Sequence, residues 1–329
     1  MAKISFGVAL YGTEEAMRGV ELAKLADALG YQSFWVGDSH MIWRELYVLL
    51  GAAGLATKRL RLGPGVTHPG VRHLTVTASA MVTLNEVTNG RALLGFGVGA
   101  TGPENIGIKP VTVGQLEEAV RLLRKLTAGE EIRISDKSMR CVFASRPRIP
   151  IYIGTRSSKA MQMAARLADG IIYTGEEASV QPIVDAMRTF SAQAGRGGGE
   201  VKVVYRIPCS VADDPYEARY AVRGKIARTA MTHLGRLHKM GKLEDEEDRR
   251  AVERLWDFYD TYHHMGPEHS HLVREEWVDR FAVAGTPEQV QERIRNVIKL
   301  GVDEITIIPF GDSKEFVIKT FAKEVMEKL

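Results

Sequence analysis

Asp38, Ser39 and His40 put a carboxylate, a hydroxyl and an imidazole at three consecutive positions. An imidazole is the usual general acid or base near neutral pH, so His40 is a candidate proton carrier. The bland reading is a turn-capping Asp38 and a surface His40. Trp43 closes the same loop. Three glycine-rich bends accompany this trio: Gly63-Pro64-Gly65-Val66-Thr67, Gly95-Phe96-Gly97-Val98-Gly99 and Gly154-Thr155-Arg156-Ser157-Ser158. Glycine and proline cannot extend a regular strand, so the backbone must bend or bulge there, and a flat ligand can approach it closely. His68, Arg72 and His73 flank the first bend, where anion contact and structural hydrogen bonding are both open. The third bend opens a helix with Ser157 or Ser158 as N-cap. Its free N–H groups, two hydroxyls, Arg156 and Lys159 make a natural phosphate seat. Thr174, Gly175 and Glu176 end the next strand and would neighbour that seat.

The elements that must hold these residues alternate regularly. Strands are expected at 4–10, 33–37, 60–65, 92–97, 149–154, 170–174, 203–211 and 304–309. Helices are expected at 14–29, 46–57, 73–88, 113–128, 157–168, 177–194, 286–300 and 314–327, several closed by glycine. Residues 281–284 are one extra apolar piece. Eight βα units predict an α/β fold, a (β/α)8 TIM barrel, rather than an open sheet with one glycine fingerprint in its first turn. The candidate residues then fall at the carboxyl ends of strands, the face that carries active sites in such barrels. Two stretches break the rhythm. Residues 130–148 predict a connection with short strands. Residues 213–279 predict a long helical insert after the seventh strand, a candidate lid or dimerisation arm within one barrel domain spanning 1–329.

Composition narrows the function classes. The chain has 329 residues, 45% of them hydrophobic, and a net charge of only +3 with acids and bases interspersed, so nucleic acid has no electrostatic footprint. No apolar run is long enough to span a bilayer, and residues 1–8 read as a first strand rather than a signal peptide. Cys141 and Cys209 are too few for a disulfide framework or a thiolate metal site, and a cytoplasmic location is expected. His263, His264, His269 and His271 cluster without zinc-type spacing, so no metal is expected and a solvated or lid-lining role is preferred.

Several passages in this order resemble the bacterial luciferase-like superfamily of flavin- and deazaflavin-dependent oxidoreductases, and its methylenetetrahydromethanopterin reductase-like branch in particular. They are Phe34-Trp35-Val36-Gly37-Asp38, residues 60–69 with Arg72-His73 and 76–79, Gly90 through Gly99, residues 150–154 with Ala168-Asp169-Gly170, Ala284-Gly285-Thr286-Pro287-Glu288 and Gly301-Val302-Asp303-Glu304. The resemblance covers nearly the whole chain outside the insert. It implies a barrel with a flavin-like ring at the carboxyl ends of its strands, backed by a bulge with a non-proline cis peptide at Gly65-Val66. It implies phosphate contacts at Thr155, Arg156, Ser157, Ser158, Thr174 and Gly175, and a ring face lined by His40 and Trp43. Ser39 separates Asp38 from His40, a departure from the branch's usual Asp-His adjacency. The implied site is thus catalytic His40 with Asp38, Trp43, Gly65, Val66, Thr67, Gly97, Gly99, Gly154, Thr155–Ser158 and Thr174-Gly175 around the cofactor. The expected activity is hydride transfer between coenzyme F420 and a small organic substrate. The alternative is an FMN-dependent monooxygenase supplied with reduced flavin by a separate reductase. Barrels of this family commonly pair, so a homodimer is expected.

Overall fold

The computed structural model describes residues 4–134, 136–144, 147–197, 199–260, 263 and 265–329. Eleven strands are present among them: β1 (Ser5–Leu10), β2 (Ser33–Val36), β3 (Arg61–Pro64), β4 (Leu94–Phe96), β5 (Ile132–Ile134), β6 (Lys137–Met139), β7 (Ile151–Gly154), β8 (Gly170–Tyr173), β9 (Lys202–Val211), β10 (Val283–Gly285) and β11 (Glu304–Pro309). Eight of them form one sheet in the order β3-β2-β1-β11-β9-β8-β7-β4. The registers of β1–β2, β2–β3, β4–β7, β7–β8 and β8–β9 are all parallel. The two ends meet through parallel bridges, Leu62 with Ala92 and Thr67 with Phe96, which turns the sheet into a barrel. The extra apolar piece of the sequence is β10, a short parallel partner of β9. The expected short strands in 130–148 are the antiparallel hairpin β5–β6.

Closure rests on two missing side chains. A Cβ at Gly63 would stand 1.7 Å from the Leu93 carbonyl oxygen, and one at Gly95 would stand 2.3 Å from that of Pro64. Only glycine lets these backbones approach so closely. Between the two bridges the chain bulges, and the Gly65–Val66 peptide is cis, at the position the resemblance assigns.

The helices start where their sequences provide caps. Thr112 and Gln115 form a capping box ahead of Val113–Thr127, and Thr286 and Gln289 form another ahead of Pro287–Lys299. Each satisfies two backbone donors that the first turn would leave open. Boundaries differ from the sequence pattern mainly at ends. The helix expected at 177–194 begins as a 3-10 turn, Glu177–Ser179, before Val180–Gln193. The last helix keeps α geometry only over Lys314–Thr320 and then widens at Phe321–Val325.

The chain divides into two compact units, the first comprising Met1–Tyr173, Pro182–Tyr205 and Asp303–Thr306 and the second Thr174–Gln181, Arg206–Val302 and Ile307–Leu329. In the first, Val8, Phe34, Leu62, Leu94, Ile153 and Ile171 are fully buried. Its strand entries converge on the Glu304 carboxylate, which accepts from the Ser33 hydroxyl at 2.6 Å, the Thr306 hydroxyl at 2.7 Å and the Trp35 indole at 3.2 Å. In the second unit, the insert forms the helices Pro215–Ala221, Arg223–Lys239, Glu246–Phe258 and Glu275–Phe281. They enclose a separate core that includes Ile226, Leu234, Val252, Leu255, Trp277 and Phe281.

Candidate active site

In the first unit the bulge and the loop after β2 are built against each other. Thr67 donates its hydroxyl to Asp38 Oδ2 at 2.6 Å, and Arg72 Nη1 donates to the same oxygen at 2.6 Å. Arg72 Nη2 donates to Glu45 at 2.7 Å, and its guanidinium lies 5.2 Å from the centre of the Tyr47 ring. The Asp38 side chain is only 4% exposed, so its charge is held by these two donors rather than by water. Arg72 therefore serves as a structural cation here, and Glu45 and Tyr47 join a network the sequence pattern did not single out. Burial pushes the Tyr47 phenol up to about 12, against the opposing pull of Arg72.

His68 lies beneath this network and is buried. Its Nδ1 accepts from the Gly70 N–H at 3.3 Å, so the ring proton belongs on Nε2. That Nε2 has no hydrogen-bond partner among the described residues. Burial holds the His68 pKa below the usual histidine value, helped by Arg72 and His40 and opposed by Asp38. His40 is half-buried, and its carbonyl accepts from Asn105 Nδ2 at 3.1 Å. Its ring makes no hydrogen bond among the described residues and remains available to a ligand. Gly102 fits under it, since a Cβ there would stand 3.0 Å from His68 Nε2 and 3.2 Å from the His40 nitrogen. Trp43 packs on Tyr11 with ring centres 4.7 Å apart, and a Cβ at Gly37 would stand 2.6 Å from its ring.

Val66 explains the glycines of the other two bends. A Cβ at Gly95, Gly97 or Gly154 would stand 3.2, 3.2 and 2.9 Å from a Val66 methyl. These glycines form the floor on which the Val66 side chain sits, and so fix where the Gly65-Val66-Thr67 backbone stands. Gly99 takes a φ of +83°, a left-handed conformation in which its neighbours Pro103 and His68 leave no room for a side chain.

After β7, the helix Ser158–Leu167 begins at Ser157 with no side-chain cap and no acidic residue in its first turn. The neighbouring Thr155 hydroxyl instead accepts from the Ser157 N–H at 2.9 Å. Arg156, Ser158 and Lys159 are exposed around this helix start, and Lys159 makes no ion pair among the described residues. The combination of open N–H groups and nearby cations suits an anion.

Thr174 and Gly175 belong to the second unit. The Thr174 hydroxyl accepts from Arg206 Nε at 3.1 Å. Next to them Glu176 accepts from Arg280 Nε at 2.6 Å and contacts His233 Nε2 at 3.2 Å. Burial works against the Glu176 charge, but His233 and Arg280 outweigh it and hold its pKa below the usual range. In the histidine segment, His263 pairs with Asp260 at 2.6 Å, and His269 stacks on Tyr259 with centres 4.2 Å apart. His264 lies outside the described residues.

The barrel, its glycine-seated bulge and the uncapped helix start place the chain among parallel barrels whose functional face lies at the strand ends. Comparison with known proteins gives the family. The model of the luciferase-like monooxygenase family matches residues 2–304, and the chain belongs to that family. It is 32% identical over 316 residues to a 5,10-methylenetetrahydromethanopterin reductase of Archaeoglobus fulgidus, covering 93% of this chain and 94% of the relative. It is 26% identical to an F420-dependent glucose-6-phosphate dehydrogenase of Nakamurella multipartita, covering 94% of this chain and 91% of the relative. Among solved structures, the coenzyme F420-dependent tetrahydromethanopterin reductase of Methanopyrus kandleri superposes with a TM-score of 0.84 at 22% identity over 99% of both chains, which establishes the shared fold.

Proposed function

We propose that this chain is an oxidoreductase that exchanges a hydride between coenzyme F420 and a small organic substrate. The observation that carries the reading is the seating of Val66 on Gly95, Gly97 and Gly154, which presents the Gly65-Val66-Thr67 backbone as a fixed backing for a flat ring. The likeness to the F420-dependent proteins of Nakamurella multipartita and Methanopyrus kandleri supports it. The residues fit such a cofactor. The helix start at Ser157 lacks a side-chain cap, and His68 Nε2 is an orphaned donor beside the bulge.

Coenzyme F420, when bound, supplies two-electron hydride exchange at a ring carbon. Gly65, Val66 and Thr67 would back its ring, with Gly97, Gly99 and Gly154 holding that support in position. Asp38 fixes Thr67, and Trp43 walls the ring pocket. Thr155, Arg156, Ser157 and Ser158 would bind phosphate. His40 carries the proton that accompanies the hydride on its unpartnered ring. The catalytic contribution of these groups is mostly positioning and exclusion of water.

The test is spectroscopic. The purified chain is expected to bind oxidised F420 with a saturable shift of its visible absorbance, and to exchange hydride without oxygen. Oxygen uptake with reduced FMN, and no shift with F420, would transfer the assignment to the monooxygenase reading. The double variant Arg156→Ala/Lys159→Ala is expected to weaken F420 binding by about tenfold, ~1.4 kcal/mol. The loss should shrink at high salt. Unchanged titrated affinity would remove the phosphate seat from this helix.

The chain pairs with a second copy of itself in this reading, as a soluble cytoplasmic enzyme. No helix among the described residues is long and apolar enough to cross a membrane. The helix Leu46–Ala56 has no charged residue, yet Val48 and Leu55 on it are 73% and 74% exposed. A helix apolar on all sides is a buried helix, and a second copy would cover this face. Sedimentation is expected to give a dimer, and Val48→Glu/Leu55→Glu a monomer. A wild-type monomer would refute the pairing.

A further inference from the structure

The second unit contains a cavity of about 730 Å³ at the carboxyl ends of β9 and β11. That volume lies in the range of small-molecule sites, and the strand ends are the functional face of such barrels. Its walls are the short helix Pro215–Ala221, the turn after β11 and the start of Lys314–Thr320.

Three kinds of group line it. Tyr216, Tyr220 and Phe316 are 70%, 45% and 50% exposed, an unusual state for large rings. Tyr216 and Tyr220 lie nearly parallel, 24° apart with centres separated by 6.3 Å. Asp213, Glu217 and Asp312 are exposed on the same lining and make no ion pair among the described residues. No lysine, arginine or histidine lines the cavity, although the whole chain carries a net +3. Finally, Ser210 is 2% exposed, and its hydroxyl has no hydrogen-bond partner among the described residues. A hydroxyl that opens into a cavity without a protein partner can donate to or accept from whatever fills the space.

We propose that this cavity binds a flat aromatic ligand that carries amino groups or positive charge. The rings stack on its faces, and the three carboxylates accept its N–H groups and attract its charge. The Ser210 hydroxyl completes the pairing at the floor. The same lining rejects anionic ligands such as sugar phosphates, for which it offers only repulsion. The inference rests on the second unit alone and is independent of the cofactor reading.

Isothermal titration with 2,4-diaminoquinazoline tests it, with naphthalene-2-sulfonate as the flat anionic control. Saturable one-site binding of the diamine is expected, with little heat from the sulfonate. Tyr216→Ala and Asp312→Asn are each expected to weaken diamine binding by about tenfold. Both replace exposed side chains, so the fold should survive. F420 titration of the same variants is expected to be unchanged. No saturable binding, equal affinity in both variants, or sulfonate binding as tight as the diamine would each overturn the proposal. Diamine binding by a protein that ignores F420 would sink the cofactor reading and leave this site standing. F420 binding without diamine binding would do the reverse.

Discussion

A His40→Ala variant is expected to lose roughly 10²–10⁴-fold in turnover with F420 while binding the cofactor as tightly as the parent. The His40 ring makes no hydrogen bond among the described residues, and its one described polar contact uses the backbone carbonyl, which Asn105 Nδ2 reaches at 3.1 Å. Alanine keeps that carbonyl, so the loop after β2 keeps its anchor. Asp38, Thr67 and Arg72 hold the neighbouring backbone without help from the imidazole. The fold and the ring pocket should therefore persist, and the loss should appear in kcat rather than in cofactor affinity. His40→Gln distinguishes proton transfer from wall-building. If the side chain only fills space, glutamine should restore turnover. If it carries a proton, glutamine should remain slow and the pH–rate profile should lose a limb. Unaltered turnover in the alanine variant would remove His40 from the chemistry and leave the barrel untouched.

The parts of this molecule that follow from local pattern could be read from the sequence. Eight alternations of strand and helix predict the closed sheet, and the glycine bends predict where its rim departs from regular structure. The bend at Gly63 and Gly65 is visible because two glycines and a proline exclude an extended strand. What the pattern hides is partnership across the fold. The pattern leaves Arg72 open between anion contact and structural hydrogen bonding, and Asp38 and Glu45 claim it. The pattern shows bends at Gly97 and Gly154 but not that an added Cβ at either would meet the Val66 side chain first. Ser157 read as a cap, yet its side chain caps nothing, and Thr155 supplies the hydrogen bond instead. In each case the decisive neighbour is a side chain whose position depends on the folded geometry, and no periodicity announces it.

The charged run from Glu244 to Arg250 is the strongest instance and leads to the second large effect. The run belongs to the helical insert, and Asp248 within it is only 5% exposed. Its Oδ1 accepts from the Trp277 indole at 2.6 Å and from Arg274 Nη1 at 2.6 Å, and its Oδ2 accepts from Arg280 Nη1 at 2.5 Å. Asp248→Ala is expected to destabilise the chain by about 3 kcal/mol, the low end of the cost of breaking a buried ion pair. The low end applies because Arg280 is 35% exposed and can recruit water, whereas the fully buried Trp277 indole cannot. Asp248→Asn should cost less, since its amide oxygen still serves the indole and only the charge facing the two arginines is lost. Urea unfolding followed by tryptophan fluorescence measures both. Arg280 joins Asp248 to Glu176, and Glu176 adjoins Thr174 and Gly175 in the same unit. With its second anchor gone, Arg280 should hold that turn less firmly. An unchanged urea midpoint in Asp248→Ala would show that the carboxylate does not anchor this core.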